Sequence, residues 1–137
     1  MKKLLLILLS LSFLLGNQKI YKEDIDNSKL EKMLKNGAVL VDVRTPPEWG
    51  HLGVVPGSKL ITFFNERGAY NLDDFMKQLE KKGISKNDDV VVICRSGNRS
   101  VHVSNMLTAK GYSSVYNVKR GIKGWIREGK SVQKNFY

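Results

Sequence analysis

A chain of 137 residues with 23 basic and 13 acidic side chains carries a formal charge of +10, and once a leader-like start is set aside about 120 residues remain, enough for one domain with a real core and too few for two. A basic balance suits nucleic acid, anionic membranes or small anions, but the lysines are scattered and no aromatic-basic motif for RNA or DNA stands out. The single cysteine excludes an internal disulfide and a Cys-x-x-Cys redox pair.

Met1-Lys2-Lys3 is a short basic start, and Leu4 to Leu15 is an apolar run broken only by two serines. That is the pattern of a secretory signal. It is short for a bilayer, which takes about 20 apolar residues, and it has no polar face to suit a helix of the fold. Residues 1–17 are therefore read as a signal peptide or N-terminal hydrophobic segment and 18–137 as the folded domain. The cut near Gly16-Asn17-Gln18 is poorly written, because Leu14 is bulky for the third position before it. Export to the periplasm or cell envelope is the expectation, with membrane contact only if the segment stays uncleaved.

Strands and helices then alternate. Lys19-Ile20-Tyr21 reads as a short first strand. Ser28 and Glu31 form a capping box for a helix with Leu30, Met33 and Leu34 on one face, closed near Asn36-Gly37. Ala38 to Val43 is a buried second strand. Thr45-Pro46 opens a helical turn, and Lys59-Leu60-Ile61 is a third strand. Asn71 caps the best-written helix: Leu72, Phe75, Met76 and Leu79 share a face, Asp73 and Asp74 suit its start, and Lys81 and Lys82 suit its end before Gly83. Asp88-Asp89 turns into the strand Val90 to Ile93. Val101 to Lys110 reads as a helix closed by Gly111, Ser114 to Val118 as the last strand, and Ile122, Trp125 and Ile126 as a final short helix. This alternation predicts an α/β domain with a mainly parallel five-stranded sheet and helices on both faces. Ligands in such folds bind beyond the carboxyl ends of the strands.

Cys94-Arg95-Ser96-Gly97-Asn98-Arg99-Ser100 stands at one such end. A lone cysteine after an apolar strand is often only a small buried hydrophobe. The residues after it are polar, flexible or charged, and a core would not choose them. Loop amides, a helix N-terminus and arginine charge would stabilise a thiolate and cradle an anion. Asp42 and Arg44 end the neighbouring strand. They either support the loop from behind or form a structural ion pair tying that strand to the following turn. Trp49 and Trp125 suit the core. His51 and His102 show no ligand spacing, and surface or packing roles are the default, although His102 could sit near the pocket.

Cys94 to Arg99 resembles the six-residue active-site loop of rhodanese-like sulfurtransferases. Val41-Asp42-Val43-Arg44-Thr45-Pro46-Pro47-Glu48-Trp49 resembles that family's upstream signature, and Gly121-Ile122-Lys123-Gly124-Trp125 its closing signature. The resemblance spans about Ile20 to Glu128 and implies a rhodanese-like fold. It implies that Cys94 attacks the outer sulfur of a small anionic donor such as thiosulfate, releases sulfite, and passes sulfur from a Cys94 persulfide to a thiol or cyanide. No metal or organic cofactor is needed. Amides from Arg95 to Ser100 would hold the outer sulfur, Arg99 would close the cradle, Arg95 would orient the donor at the mouth, and Ser96 and Asn98 would brace the loop. Cysteine phosphatases resemble this arrangement with one residue more between Cys and Arg, which leaves an arsenate or phosphate-ester activity as a weaker reading. The alternative of another class is a persulfide carrier or protein-binding module that serves a protein acceptor without turnover; no nucleic-acid partner is expected. The chain departs from the family pattern at Val54, where a histidine is usual, and at Arg120, where a glycine is usual, and both departures bear on the pocket rim.

Overall fold

The computed structural model describes residues 19–135, so the leader-like segment, residues 1–17, lies outside the described residues. The elements run β1 (Glu23–Ile25), α1 (Asn27–Lys35), β2 (Val39–Asp42), α2 (Pro46–Leu52), β3 (Lys59–Leu60), α3 (Leu72–Lys81), β4 (Asp89–Ile93), α4 (Asn98–Ala109), β5 (Ser114–Val118) and α5 (Gly121–Arg127). The strands form one sheet in the order β1-β5-β4-β2-β3, and every neighbouring pair is parallel. All the carboxyl ends therefore share one edge, with β4 in the middle.

Side chains alternate across a strand, and β4 uses both faces. Val90 and Val92 pack with Phe75 and Leu79 of α3 and Val103 and Leu107 of α4. Val91 and Ile93 pack with Leu30 of α1 and Ile122 and Trp125 of α5. Continuing the alternation puts Cys94 on the α4 side, in the first of these clusters. A strand of unbroken β-branched residues is what a centre covered on both faces requires.

Three boundaries differ by more than one residue from those the sequence suggests. The first strand is Glu23–Ile25, not Lys19–Tyr21. It is an edge strand bonded only to β5, and it needs one inward residue, Ile25, so a search for apolar runs passes over it. Ile20 stays exposed, while Tyr21 is buried ahead of the strand. The cap of α1 is Asp26, whose Oδ1 accepts from Lys29 N–H at 2.8 Å. Both Asp26 and Ser28 are good capping residues; the strand ends at Ile25, so the earlier one takes the position. Ser28 is then inside the helix, and Glu31 instead meets Lys130 at 2.6 Å. Finally, α4 starts at Asn98 rather than Val101. Gly97 makes the turn at φ +100°, so Asn98, Arg99 and Ser100 belong to the helix, where their polarity suits an end open to ligand rather than a loop.

Candidate active site

The carboxyl ends of β2, β4 and β5 converge on the turn from Cys94 to Gly97. Cys94 follows β4 directly, and its side chain is 1% exposed rather than open at a cleft mouth. Its Sγ accepts from the Gly97 N–H at 3.1 Å and lies 3.1 Å from the buried Ser100 Oγ. The resting thiol thus meets one amide and one hydroxyl. The early N–H groups of α4 have no acceptor within their own helix, and the positive end of its dipole sits at this turn.

Two neighbours hold the turn in shape. Ile122 N–H donates to Cys94 O at 2.9 Å, and Lys123 N–H donates to Arg95 O at 3.1 Å. The start of α5 thus takes up the turn's carbonyls. Gly121, at φ +59°, is where the contact is closest: a Cβ there would lie 2.4 Å from Arg95 O. Gly97 is pressed on the backbone just after β5 in the same way, with a Cβ position 2.2 Å from Lys119 O. Asn117 reaches from β5, its Nδ2 donating to Gly97 O at 3.4 Å and to Asp24 Oδ1 at 3.0 Å. Asp24 Oδ1 also accepts from Tyr21 OH at 2.5 Å. Burial raises the Asp24 carboxyl, but bonds from Lys19, Tyr21 and Asn117 outweigh it and bring its pKa from 3.8 to about 2. Burial and the same carboxylate push the Tyr21 hydroxyl up. The sequence carries no mark for this bracing, because only the β1–β5 register brings Tyr21, Asp24 and Asn117 together.

Asp42 and Arg44 form the structural ion pair. Both side chains are fully buried. Arg44 Nε and Nη2 donate to the Asp42 carboxylate at 3.0 and 2.7 Å, and Trp49 Nε1 donates to Asp42 Oδ1 at 3.1 Å. The remaining guanidinium donors reach Gly53 O at 2.7 Å and Glu48 O at 3.2 Å. The pair ties β2 to α2 and makes no bond to the Cys94 turn among the described residues.

Arg99 is engaged with Glu48. Its Nη1 and Nη2 donate to the two Glu48 oxygens at 3.0 and 2.8 Å, and both side chains are 30% exposed. Glu48 Oε2 also accepts the Thr45 N–H at 3.0 Å. Burial alone would raise the Glu48 carboxyl; the Arg99 and Thr45 donors reverse this and hold it below the usual carboxylate range. Burial likewise opposes the charged Arg99, and the Glu48 bonds outweigh it and raise the guanidinium pKa, with a smaller push from Cys94. Glu48 has no role in the sequence-based picture. Its place three residues after Thr45, the spacing of a capping box, was the available signal.

The other expected site residues are spread around this centre. Arg95, Ser96 and Asn98 are exposed. Among the described residues Ser96 and Asn98 make no side-chain hydrogen bond, so the bracing expected of them comes from Asn117 and α5. Arg95 borders a cleft of about 180 Å3 with Pro47, Glu48, His51 and Leu52. A larger opening of about 580 Å3 lies along α3, away from Cys94. Val54 is buried, and its backbone N–H and carbonyl bond to Gln133 at 2.9 and 2.8 Å. Arg120 is exposed just before α5, next to Gly124. Trp49 and Trp125 are buried. His102 packs in an aromatic group, its ring centroid 5.4 Å from Phe64 and 6.2 Å from Tyr70.

Comparison with known proteins bears on this geometry. The sequence profile of the rhodanese-like domain matches residues 26–128. A protein named sulfurtransferase from Allochromatium vinosum is 33% identical over 77% of this chain and 90% of its own. Thiosulfate sulfurtransferase 18 of Arabidopsis thaliana is 30% identical over 74% of this chain and 76% of its own. Among solved structures, Rv0390 from M. tuberculosis superposes with a TM-score of 0.70 at 28% identity, covering 84% of this chain and 99% of that one.

Proposed function

We propose, because this chain belongs to the rhodanese-like domain family, that it moves sulfane sulfur from thiosulfate or a persulfide donor to a thiophilic acceptor through a persulfide on Cys94. The observation that carries this reading is the placement of Cys94 Sγ between the Gly97 N–H and the Ser100 Oγ, at the carboxyl end of the central strand. In the first half-reaction the Cys94 thiolate attacks the outer sulfur of thiosulfate. The new S–S bond forms as the donor's S–S bond breaks, and sulfite leaves with the bonding pair. In the second half-reaction cyanide or a thiolate attacks the outer sulfur and the Cys94 thiolate is released. The Gly97 amide, the Ser100 hydroxyl and the free amides at the start of α4 are the groups available to stabilise negative sulfur at both stages. Names borne by relatives support sulfur transfer as the class of chemistry.

Thiosulfate:cyanide turnover and intact-mass analysis test the reading together. Expected are turnover in the wild type, none in Cys94→Ser, and an adduct of about 32 Da on the wild-type protein after thiosulfate treatment. Absence of both adduct and turnover overturns it. The near-complete burial of Cys94 favours one second reading, a carrier that loads one sulfur and surrenders it only to a docked protein; loading without turnover would select it. The basic and apolar N-terminal stretch, residues 1–17, completes the proposal with export to the periplasm or cell envelope, and the mass of protein recovered from the envelope fraction tests it.

A further inference from the structure

We infer that Glu48 sets the charge selectivity of the site by holding both terminal nitrogens of Arg99, so that the guanidinium carried by the first turn of α4 is spent on the protein itself rather than on a sulfonate-bearing donor. The inference rests on the sulfur-transfer reading above and adds a positioning residue that acts through Arg99.

Four arginines, Arg44, Arg95, Arg99 and Arg120, stand around the Cys94 turn, and their partners decide what charge a donor meets. Arg44 is fully buried and committed to Asp42, Gly53 O and Glu48 O. Arg99 is committed to Glu48 through two bonds of 3.0 and 2.8 Å. The Glu48 carboxylate is itself fixed by the Thr45 N–H at 3.0 Å, so it cannot swing off Arg99 without uncapping α2. Arg95, exposed beside the cleft, and Arg120, exposed just before α5, are the guanidiniums near the turn without a side-chain partner among the described residues. Two of these four positive charges are therefore cancelled by carboxylates before a donor arrives. Bidentate pairing also occupies the fork that would otherwise grip a planar or tetrahedral oxyanion. The resting site is thus built to accept a sulfane sulfur carried on a weakly charged group more readily than one carried on a dianion.

Two donors of nearly equal shape isolate the charge. Thiosulfate is a dianion and methanethiosulfonate a monoanion; attack by the Cys94 thiolate gives the same persulfide from each, with sulfite leaving from the first and methanesulfinate from the second. The quantity to follow is the ratio of kcat/KM for thiosulfate to kcat/KM for methanethiosulfonate, with cyanide as common acceptor. Glu48→Gln keeps an acceptor for the Thr45 N–H and removes the negative charge, and it is expected to raise the ratio by about tenfold, the size of one partly exposed charge interaction. The double variant Glu48→Gln with Arg99→Gln is expected to return the ratio to the wild-type value. A loss of folding or a misplaced turn would depress both donors together and leave the ratio alone. An unchanged ratio in Glu48→Gln overturns the inference while the sulfur-transfer reading stands. If Glu48→Gln does not fold, Glu48→Asp, which shortens the arm and breaks the two-point grip, is expected to raise the ratio by a smaller factor, and an unchanged ratio there has the same meaning. Failure of the wild type to take sulfur from either donor overturns the sulfur-transfer reading and this inference together.

Discussion

Two arginine–carboxylate pairs stand one behind the other at the carboxyl edge of the sheet, and they do different work. Asp42–Arg44 is wholly buried, and Trp49 Nε1 and two backbone carbonyls complete its hydrogen bonding. Glu48–Arg99 has similar two-point geometry but is 30% exposed on each side and borders the Cys94 turn. A guanidinium sealed away from water has no charge to offer a substrate; its use is to fasten β2 to α2. Half-open, the same pairing can be altered without a desolvated charge being left behind, so it can set selectivity. Glu48 joins the two, since its carbonyl receives Arg44 and its carboxylate receives Arg99. The buried pair therefore positions the one that faces the chemistry.

The sharpest way to break this contrast is to remove one acid from each pair. Asp42→Ala would leave Arg44 buried without a counter-charge, and such a loss destabilises by about 3–5 kcal/mol. Urea unfolding followed by far-UV circular dichroism should show the midpoint fall by that equivalent, and a loss below about 1 kcal/mol would mean the pair is not sealed as described. Next in size is Gly121→Ala. Its Cβ would meet Arg95 O at 2.4 Å on a residue at φ +59°, and strain of this kind costs about 1–3 kcal/mol. Because the contact is with the turn itself, sulfur transfer should fall further than the stability change alone accounts for. Gly129→Ala is the control: φ is +74° there too, but no atom lies within 4 Å of its Cβ position, so activity should be kept.

Glu48→Gln is expected to move stability least among the residues that touch the site, by less than about 1 kcal/mol, as partly exposed pairs generally do. Set beside Asp42→Ala, it should give a small stability effect with a changed donor ratio, where the buried acid gives a large stability effect. Equal stability losses in the two variants would remove the distinction between the pairs.

How much of this was legible beforehand depended on whether the signal was local. The apolar run Val90–Ile93 and the Asn71-capped face of α3 are each complete within a few positions, and they read correctly. The edge strand β1 was misplaced because one buried residue, Ile25, suffices there. The sequence names no partner for Arg99: its pairing with Glu48 spans 51 positions, and only the parallel order of β2 and β4 brings α2 against α4. The burial of Cys94 follows from strand alternation continued one residue past Ile93, a step that the polar residues after it obscured. Gly121 was visible as part of a motif, but its reason, the approach of a carbonyl from the turn, exists only in three dimensions.

The smallest effect extends the comparison to a third and more open pair, Lys19–Asp24, at 2.8 Å with side chains 46% and 27% exposed. Asp24 has its pKa brought down from 3.8 to about 2. A carboxyl whose folded value lies below its unfolded value adds stability at neutral pH, and that stability drains away as pH falls from the unfolded value through the folded one. For Asp24 the window is therefore from near 3.8 down to about 2. Asp24→Asn keeps an acceptor for Tyr21 OH and Asn117 Nδ2 and discards only the charge. Its urea midpoint should lie slightly below the wild type at pH 7, and the two should converge as pH approaches about 2. A difference that stays constant across that range would mean Asp24 acts through hydrogen bonding and packing behind the Gly97 carbonyl, with its charge contributing nothing.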